Sequence, residues 1–498
     1  MSVNLPLPPP PEAAPAEIQE RQAAAPLELV VAGTRLRINA PANLQLPDLV
    51  GGLAGARDAV DALRRLPYLA IAAGHLSIRT YYLQEADGSL RVWLLPQPVV
   101  AVSGDSPLRA YFDGLVKQSR PLNPSGLEPA RTLAGLHARR AGLSSTPRLL
   151  PEGQGLRLQV PAVADGQRGS VRVSYGNPGN RYVGRRFVDL EASMASRGGT
   201  ELSLFWRESD RLFQGIQADY HEQSLALSQY RPLGLFSLRG RHFEYRVREP
   251  EQPILDGAQE QVELSWLAIP RADFRARWTV ETKLDYINQS LRQNLDHSLI
   301  RGERYPSLAL TLQRTATATV LARRLDYDLS VLLRQGLGQA DSDGNSDLDY
   351  RLGRTGLGAR WRLAPELALE AQLAGQWSDN RLPDAQLWAL GGSQFMRAWF
   401  PGVALGDRGG YGRLSLLHPR AADGAWQLTP AAHLEWGRSD RDGSPDARLA
   451  DAALSLDFRY GRYWSGSLGS ALPISEDSDP RLREGARAGF FFRLAAEL

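Results

Sequence analysis

The sequence predicts a transmembrane β-barrel of about 16 antiparallel strands preceded by two small α+β domains. Three observations carry that prediction. From about residue 168 to the end, segments of eight to twelve residues alternate apolar and polar side chains between clusters of Gly, Asp, Asn, Ser and Pro. Charged residues recur on the polar face of strand after strand, and the mean hydropathy of the 498 residues is −0.32. Residues 27–165, in contrast, mix strand periods with helix periods.

The chain opens with a Pro/Ala-rich tail, residues 1–26, in which Pro6, Pro8, Pro9, Pro10, Pro11, Pro15 and Pro26 favour an extended linker. Ala16–Ala25 within it are good helix formers, enough for about 15 Å of helix. Residues 27–97 then read as a strand–helix–strand unit. Leu27–Val31, Arg35–Ile38, Leu76–Leu83 and Leu90–Leu95 are strands, Leu49–Leu66 has helical spacing, and Asp87-Gly88 is a hairpin signal. Residues 98–166 repeat the pattern, with strands at Val99–Val102, Arg148–Leu150 and Gly155–Val160 and helices near Pro107–Gln118 and Pro129–Arg140. One continuous α+β domain is the alternative reading of the same pattern.

Residues 167–498 are assigned to the barrel. In Phe187–Met194, Val188, Leu190, Ala192 and Met194 share a face opposite Asp189, Glu191 and Ser193. Leu367–Trp377, Ala452–Tyr460 and Ala486–Leu498 show the same two-residue period. A barrel with lipid outside and water inside accounts for both the alternation and the inward charges. The 331 residues from 168 onward, at roughly 20 per strand and connection, make about 16 strands. Trp206, Trp266, Trp278, Trp361, Trp377, Trp436, Tyr460, Tyr463 and Trp464 supply an aromatic girdle.

Composition removes several classes. With no cysteine there is no disulfide, thiolate metal site or cysteine nucleophile. A net charge of +3 spread over 498 residues is not the concentrated basic face of a nucleic-acid binder. No uncharged apolar run of 18 residues occurs, so no transmembrane helix is expected. Met1–Pro6 lack the basic start and apolar core of an export signal, which leaves either a cytosolic chain or a mature form. P-loop, HExxH, nucleophile-elbow and GxGxxG patterns are missing, and the seven histidines have no ligand spacing. Asp341–Asp349 alternates oxygen ligands but lacks the later bidentate Glu, so it is read as a solvated acidic loop rather than a calcium site. No cofactor, metal or catalytic residue is expected.

Several segments resemble the outer-membrane translocators of two-partner secretion, the hemolysin-activator type of the POTRA-plus-barrel superfamily (TpsB). Tyr68–His75 leading to Asp87-Gly88 resembles the end of a first POTRA domain, and Pro121–Ala130 resembles the segment that opens a helix of the second. Asn177–Gly184 is similar to the first barrel hairpin, and Tyr230-Arg231-Pro232-Leu233-Gly234 to a tyrosine followed by "P-L-G". The most specific stretch runs from Gln376-Trp377 through Leu390-Gly391-Gly392 and Met396-Arg397-Ala398-Trp399 to Gly406-Asp407-Arg408-Gly409-Gly410. It resembles the family's loop that folds back into the lumen, here 391–410, with Ala398 and Trp399 replacing the usual glycine and aromatic.

The resemblance implies that Arg397 pairs with an acidic residue on a lumen-facing strand. Glu435 is the candidate, because Leu434 and Trp436 on either side of it would face lipid. It also implies the partner, a large TpsA-like exoprotein recognised through its N-terminal secretion domain by periplasmic POTRA domains and exported unfolded across the outer membrane. No nucleotide hydrolysis is implied. A barrel-assembly factor of the same superfamily is the competing reading. A passive porin would leave residues 27–165 unexplained.

Overall fold

The computed structural model describes residues 6–20, 25–41, 46–104, 107–118, 120–179, 184–210, 219–247, 254–338, 346–393, 395–421, 425–441, 446–477 and 489–498. Met1–Gly166 with Arg271–Phe274 form one compact unit, and Gln167–Pro270 with Arg275–Leu498 form the other.

In the first unit, β1 (Glu12–Ala13), α1 (Ala16–Gln19), β2 (Leu27–Val31), β3 (Thr34–Asn39), α2 (Leu46–Leu53), α3 (Ala59–Ala72), β4 (Ile78–Gln84) and β5 (Leu90–Pro96) build the first POTRA domain. The sheet order is β1-β4-β5-β3-β2. Leu36, Ile38, Ile78, Val92 and Leu94 pack on Leu49, Leu53, Leu63 and Leu66, so the two helices cover one sheet face. The single helix predicted over Leu49–Leu66 is two. Asp58 starts the second by accepting from the Asp61 N–H at 2.7 Å. Gly52 lets the two helices meet, since a Cβ there would lie 2.2 Å from the Leu69 side chain.

The tail is not a free linker in its described part. Glu12 and Ala13 pair with Tyr81 and Tyr82 of β4, Arg79 Nη2 holds Glu12 at 2.8 Å, and Ala14 and Ile18 close over Tyr81 and Trp93. Burying those rings outweighs the preference of a proline-rich segment for solvent. The second half of the predicted Ala16–Ala25 helix extends into residues 21–24, outside the described residues.

The second POTRA domain comprises β6 (Val99–Gly104), α4 (Asp113–Gln118), α5 (Pro124–Arg140), β7 (Leu143–Ser144), β8 (Arg148–Glu152), β9 (Gly155–Val160) and β10 (Val163–Ala164). Its sheet runs β6-β9-β8. Helix α5 begins five residues before the predicted Pro129, because the Asn123 side chain accepts from the Gly126 N–H at 2.8 Å and Pro124 suits the first helical position.

The second unit is the barrel. Its strands are β11 (Gly169–Gly176), β12 (Phe187–Ala195), β13 (Thr200–Ser209), β14 (Tyr220–Arg231), β15 (Gly234–Val247), β16 (Leu255–Ala272), β17 (Ala276–Gln293) and β18 (Leu299–Val320). They continue as β19 (Arg323–Gly336), β20 (Arg351–Ala364) and β21 (Leu367–Trp377). A hairpin of β22 (Trp388–Leu390) and β23 (Ala404–Gly406) interrupts the wall, which resumes with β24 (Arg408–Leu417), its two-residue extension β25 (Arg420–Ala421), β26 (Trp426–Asp440), β27 (Ala447–Tyr460), β28 (Trp464–Asp477) and β29 (Phe490–Glu497). Counting β24 and β25 as one, sixteen antiparallel strands close on themselves through β11 and β29. Beyond that ladder Asn177 continues the seam: its amide donates to the Phe490 carbonyl at 2.8 Å and accepts from the Phe492 N–H at 2.7 Å. The part of the Asn177–Gly184 motif at residues 180–183 lies outside the described residues, as do Asp341–Asn345 of the acidic loop and residues 486–488 of the predicted last strand.

Alternation sorts the wall. On β18, Leu308, Leu310 and Leu312 are exposed outward, whereas Glu303, Tyr305, Ser307 and Ala309 are buried inside. Carboxylates inside are matched by arginines, with Asp189–Arg207, Glu222–Arg241 and Asp285–Arg334 at 2.7, 2.7 and 2.9 Å. No helix among the described residues is long and apolar enough to cross a membrane.

The lipid assignment of the outer face makes a direct prediction. Leu310→Arg should cost about 2–4 kcal/mol in the equilibrium of refolding from urea into vesicles. Thr311→Arg, which turns into the lumen, should cost less than about 1 kcal/mol. Equal costs would mean the two faces are wrongly assigned.

Candidate functional site: the lumen loop

Residues 378–407 connect β21 to β24. Gly391 and Gly392 reverse the chain with φ of +100° and +91°. A Cβ at Gly391 would sit 2.0 Å from the Phe400 carbonyl oxygen, so only glycine fits. The Gly392 N–H donates to the Trp399 carbonyl at 2.8 Å, and the Trp399 N–H to the Met396 carbonyl at 3.2 Å, closing a tight tip. Met396 itself adopts φ +69°, a strained choice for an unbranched side chain that tertiary contacts must hold.

Arg397 Nη1 donates to Glu435 Oε1 at 2.5 Å, and the Arg397 backbone N–H donates to Oε2 at 2.8 Å. Tyr411 Oη donates to the same Oε1 at 3.0 Å, and Arg413 stands 3.8 Å away. The Ala398 N–H donates to Asp451 Oδ2 at 3.0 Å. Glu435 and Asp451 are opposite neighbours on β26 and β27, each at most 1% exposed. Met396, Ala398 and Trp399 are buried in a cluster with Trp388, Tyr411, Leu449 and Phe491, and the Arg397 guanidinium lies 5.6 Å over the Phe491 ring.

Each predicted site residue is accounted for. Met396, Arg397, Ala398 and Trp399 form the tip and meet Glu435. Gly406 and Asp407 close the stem, where the Leu382 N–H donates to Asp407 Oδ1 at 2.7 Å. A Cβ at Gly406 would strike the Asp440 carbonyl oxygen at 2.5 Å. Gly409 lies under the Trp388 indole, 2.0 Å from where its Cβ would be, whereas a Cβ at Gly410 would have room. Ala398 leaves the tip closed, since its methyl is buried and its N–H is bonded.

Asp451, Tyr411 and Arg413 were missed. Asp451 was findable, because extending the alternation of Leu454, Leu456 and Phe458 backward puts it on the lumen face. Tyr411 carries no such signal. Among the described residues no group of three His, Asp or Glu is arranged to hold a metal. The arrangement contains paired charges and packing, and what it can do is hold a loop in one place.

A closed sixteen-stranded barrel with a pinned lumen loop and two POTRA domains is the architecture of an outer-membrane translocator. The family model for haemolysin secretion/activation proteins of the ShlB/FhaC/HecB type matches residues 158–459, more than half of the chain. The chain belongs to that family and is an outer-membrane β-barrel of two-partner secretion. No curated protein matches it in sequence. Among solved structures, CdiB from Escherichia coli superposes with a TM-score of 0.71 at 14% identity, covering 98% of this chain and 94% of that one. CdiB from Acinetobacter baumannii gives 0.64 at 14% identity, covering 96% and 90%. BamA from Haemophilus ducreyi lacking POTRA domains 1–3 gives 0.51 at 13%, covering 95% and 100%.

The ion pair predicts the behaviour of a truncated wall. Glu435→Ala leaves Arg397 in a buried site without its carboxylate, which should cost the docked loop about 3–5 kcal/mol. Trypsin should then cleave at Arg397 in the inserted barrel while wild-type Arg397 is protected. Equal protection would show that the pair does not hold the loop.

Proposed function

We propose that this protein exports a large unfolded exoprotein through its lumen, and that the loop at residues 391–410 is the gate. The observation that carries the reading is the loop tip held inside the wall on the buried Glu435. A loop tip held by side-chain contacts rather than by strand pairing to the wall can leave it and open a water-lined path. No nucleotide site is needed: partner folding outside the cell supplies the direction, since a folded domain cannot return through the lumen.

Strand β11 enters the barrel beside the four-residue turn 196–199, at the end that also carries the short turns 232–233 and 321–322. Short turns belong to the periplasmic rim. In this reading the POTRA domains, which precede β11 in the chain, are periplasmic and meet the partner first. They would take an extended segment of its N-terminal secretion domain by strand addition. The outer edge of β8 has no strand paired to it among the described residues, whereas that of β4 is covered by β1.

The likeness to BamA keeps the assembly-factor reading in view, and one comparison separates the two. The secreted and outer-membrane proteomes of the native cell are measured with and without the gene. Loss of one large secreted or surface protein with other barrels unchanged is expected. A broad fall in outer-membrane barrels with no secreted protein missing would establish assembly instead.

A further inference from the structure

The stem of the lumen loop is held on a different part of the wall from its tip. Arg301 Nη1 reaches Asp384 Oδ1 at 2.8 Å and its Nη2 reaches Glu303 Oε1 at 3.1 Å. The Asp384 N–H donates to the other Glu303 oxygen at 3.1 Å, so one buried carboxylate holds both the loop backbone and the arginine that holds the loop side chain. Two residues on, the Gln386 carbonyl accepts from Arg354 Nη2 and Gln376 Nε2, each at 3.0 Å. Leu382 and Leu387 are buried with Ile287, Tyr305 and Tyr350. Glu303 is on β18 and Glu435 on β26, five strands further round the barrel. Two cavities flank the attachments and share Arg354 in their linings. One of about 910 Å³ is lined by Arg207, Trp388 and Arg397, and one of about 460 Å³ by Phe243, Arg301 and Asp384.

We propose that the gate has a second anchor, in which Arg301 and Glu303 of β18 hold Asp384 of the loop stem, and that a wide channel forms only when this anchor is released as well as Arg397. The inference rests on the gating reading above. Freeing the tip alone leaves residues 382–387 packed on β17, β18 and β20. Arg301 and Asp384 act here as positioning residues. Asp384, whose side chain is 40% exposed, also stands 3.8 Å from Arg441, so two arginines face it and a neutral side chain there would be held less firmly.

Asp384→Asn is the variant of choice, because Arg301 keeps Glu303 and no wall charge is stranded. In planar bilayers, the full-length Asp384→Asn protein should show wide openings roughly two- to fivefold more often than wild type. Arg397→Glu serves as the comparison. Asp379→Asn, on an exposed loop carboxylate 3.5 Å from Arg408, should leave openings unchanged. If Arg397→Glu opens the channel and Asp384→Asn stays as quiet as wild type, the second anchor is refuted and the gating reading stands. If neither opens it, both fail.

A crosslink tests the release directly. The chain has no cysteine, so Arg301→Cys with Asp384→Cys would carry the only two thiols. Joining them with a short reducible bis-thiosulfonate should stop secretion and a reductant should restore it. Undiminished secretion by the crosslinked protein would overturn the proposal.

Discussion

A carboxylate buried in the barrel wall sets the terms for everything inside the lumen. Glu435 is 1% exposed, and burying such a group without partners would cost several kcal/mol. The loop supplies two of its partners, the Arg397 guanidinium and the Arg397 backbone N–H, one on each oxygen, and Tyr411 of the wall shares the first. Tyr411 and Arg413 of the wall meet part of the electrostatic need of Glu435, and the returned loop supplies the rest through Arg397. The glycines serve that meeting. Gly391 and Gly392 turn the chain, and Gly409 makes room for the Trp388 ring. Once the tip is seated, Trp399 and Met396 bury themselves on the same strands, and packing and charge fix one register together.

The wall obeys a second constraint. In hydrocarbon every backbone group must be paired within the protein, so the sheet has to close. It closes through β11 and β29, and Asn177 carries the hydrogen bonding past the end of the ladder with its side-chain amide. Closure with a two-residue period leaves half the side chains facing inward, where acidic residues meet arginines one or two strands away. Asp189–Arg207, Glu222–Arg241 and Asp285–Arg334 are local versions of the pairing that the loop makes with Glu435. The loop is held in the lumen by the same chemistry that stabilises the lumen wall.

The sequence made the barrel legible because alternation is a local signal repeated many times, and lipid enforces it on the outer face. The identity of Glu435 as an inward residue follows from Leu434 and Trp436 alone, and Asp451 follows from the same parity on the next strand. The POTRA helices were less legible. Leu49–Leu66 keeps helical spacing across a break that only the close approach at Gly52 and the cap at Asp58 reveal. The docking of residues 12–18 was invisible, since proline-rich composition describes an isolated segment and not one offered Tyr81 and Trp93 to cover. Asp384 and Arg301 gave no signal either: they are 83 positions apart in irregular sequence, and only the return of the loop brings them together.

Charge reversal at Arg397 in the native cell tests the central claim most directly, read as two quantities from one culture. The account predicts that Arg397→Glu enters the outer membrane in wild-type amount with the usual heat-dependent mobility, because the strand ladder closes through β11 and β29 without it, and that the secreted partner disappears. Secretion at the wild-type level from an inserted Arg397→Glu barrel would contradict it.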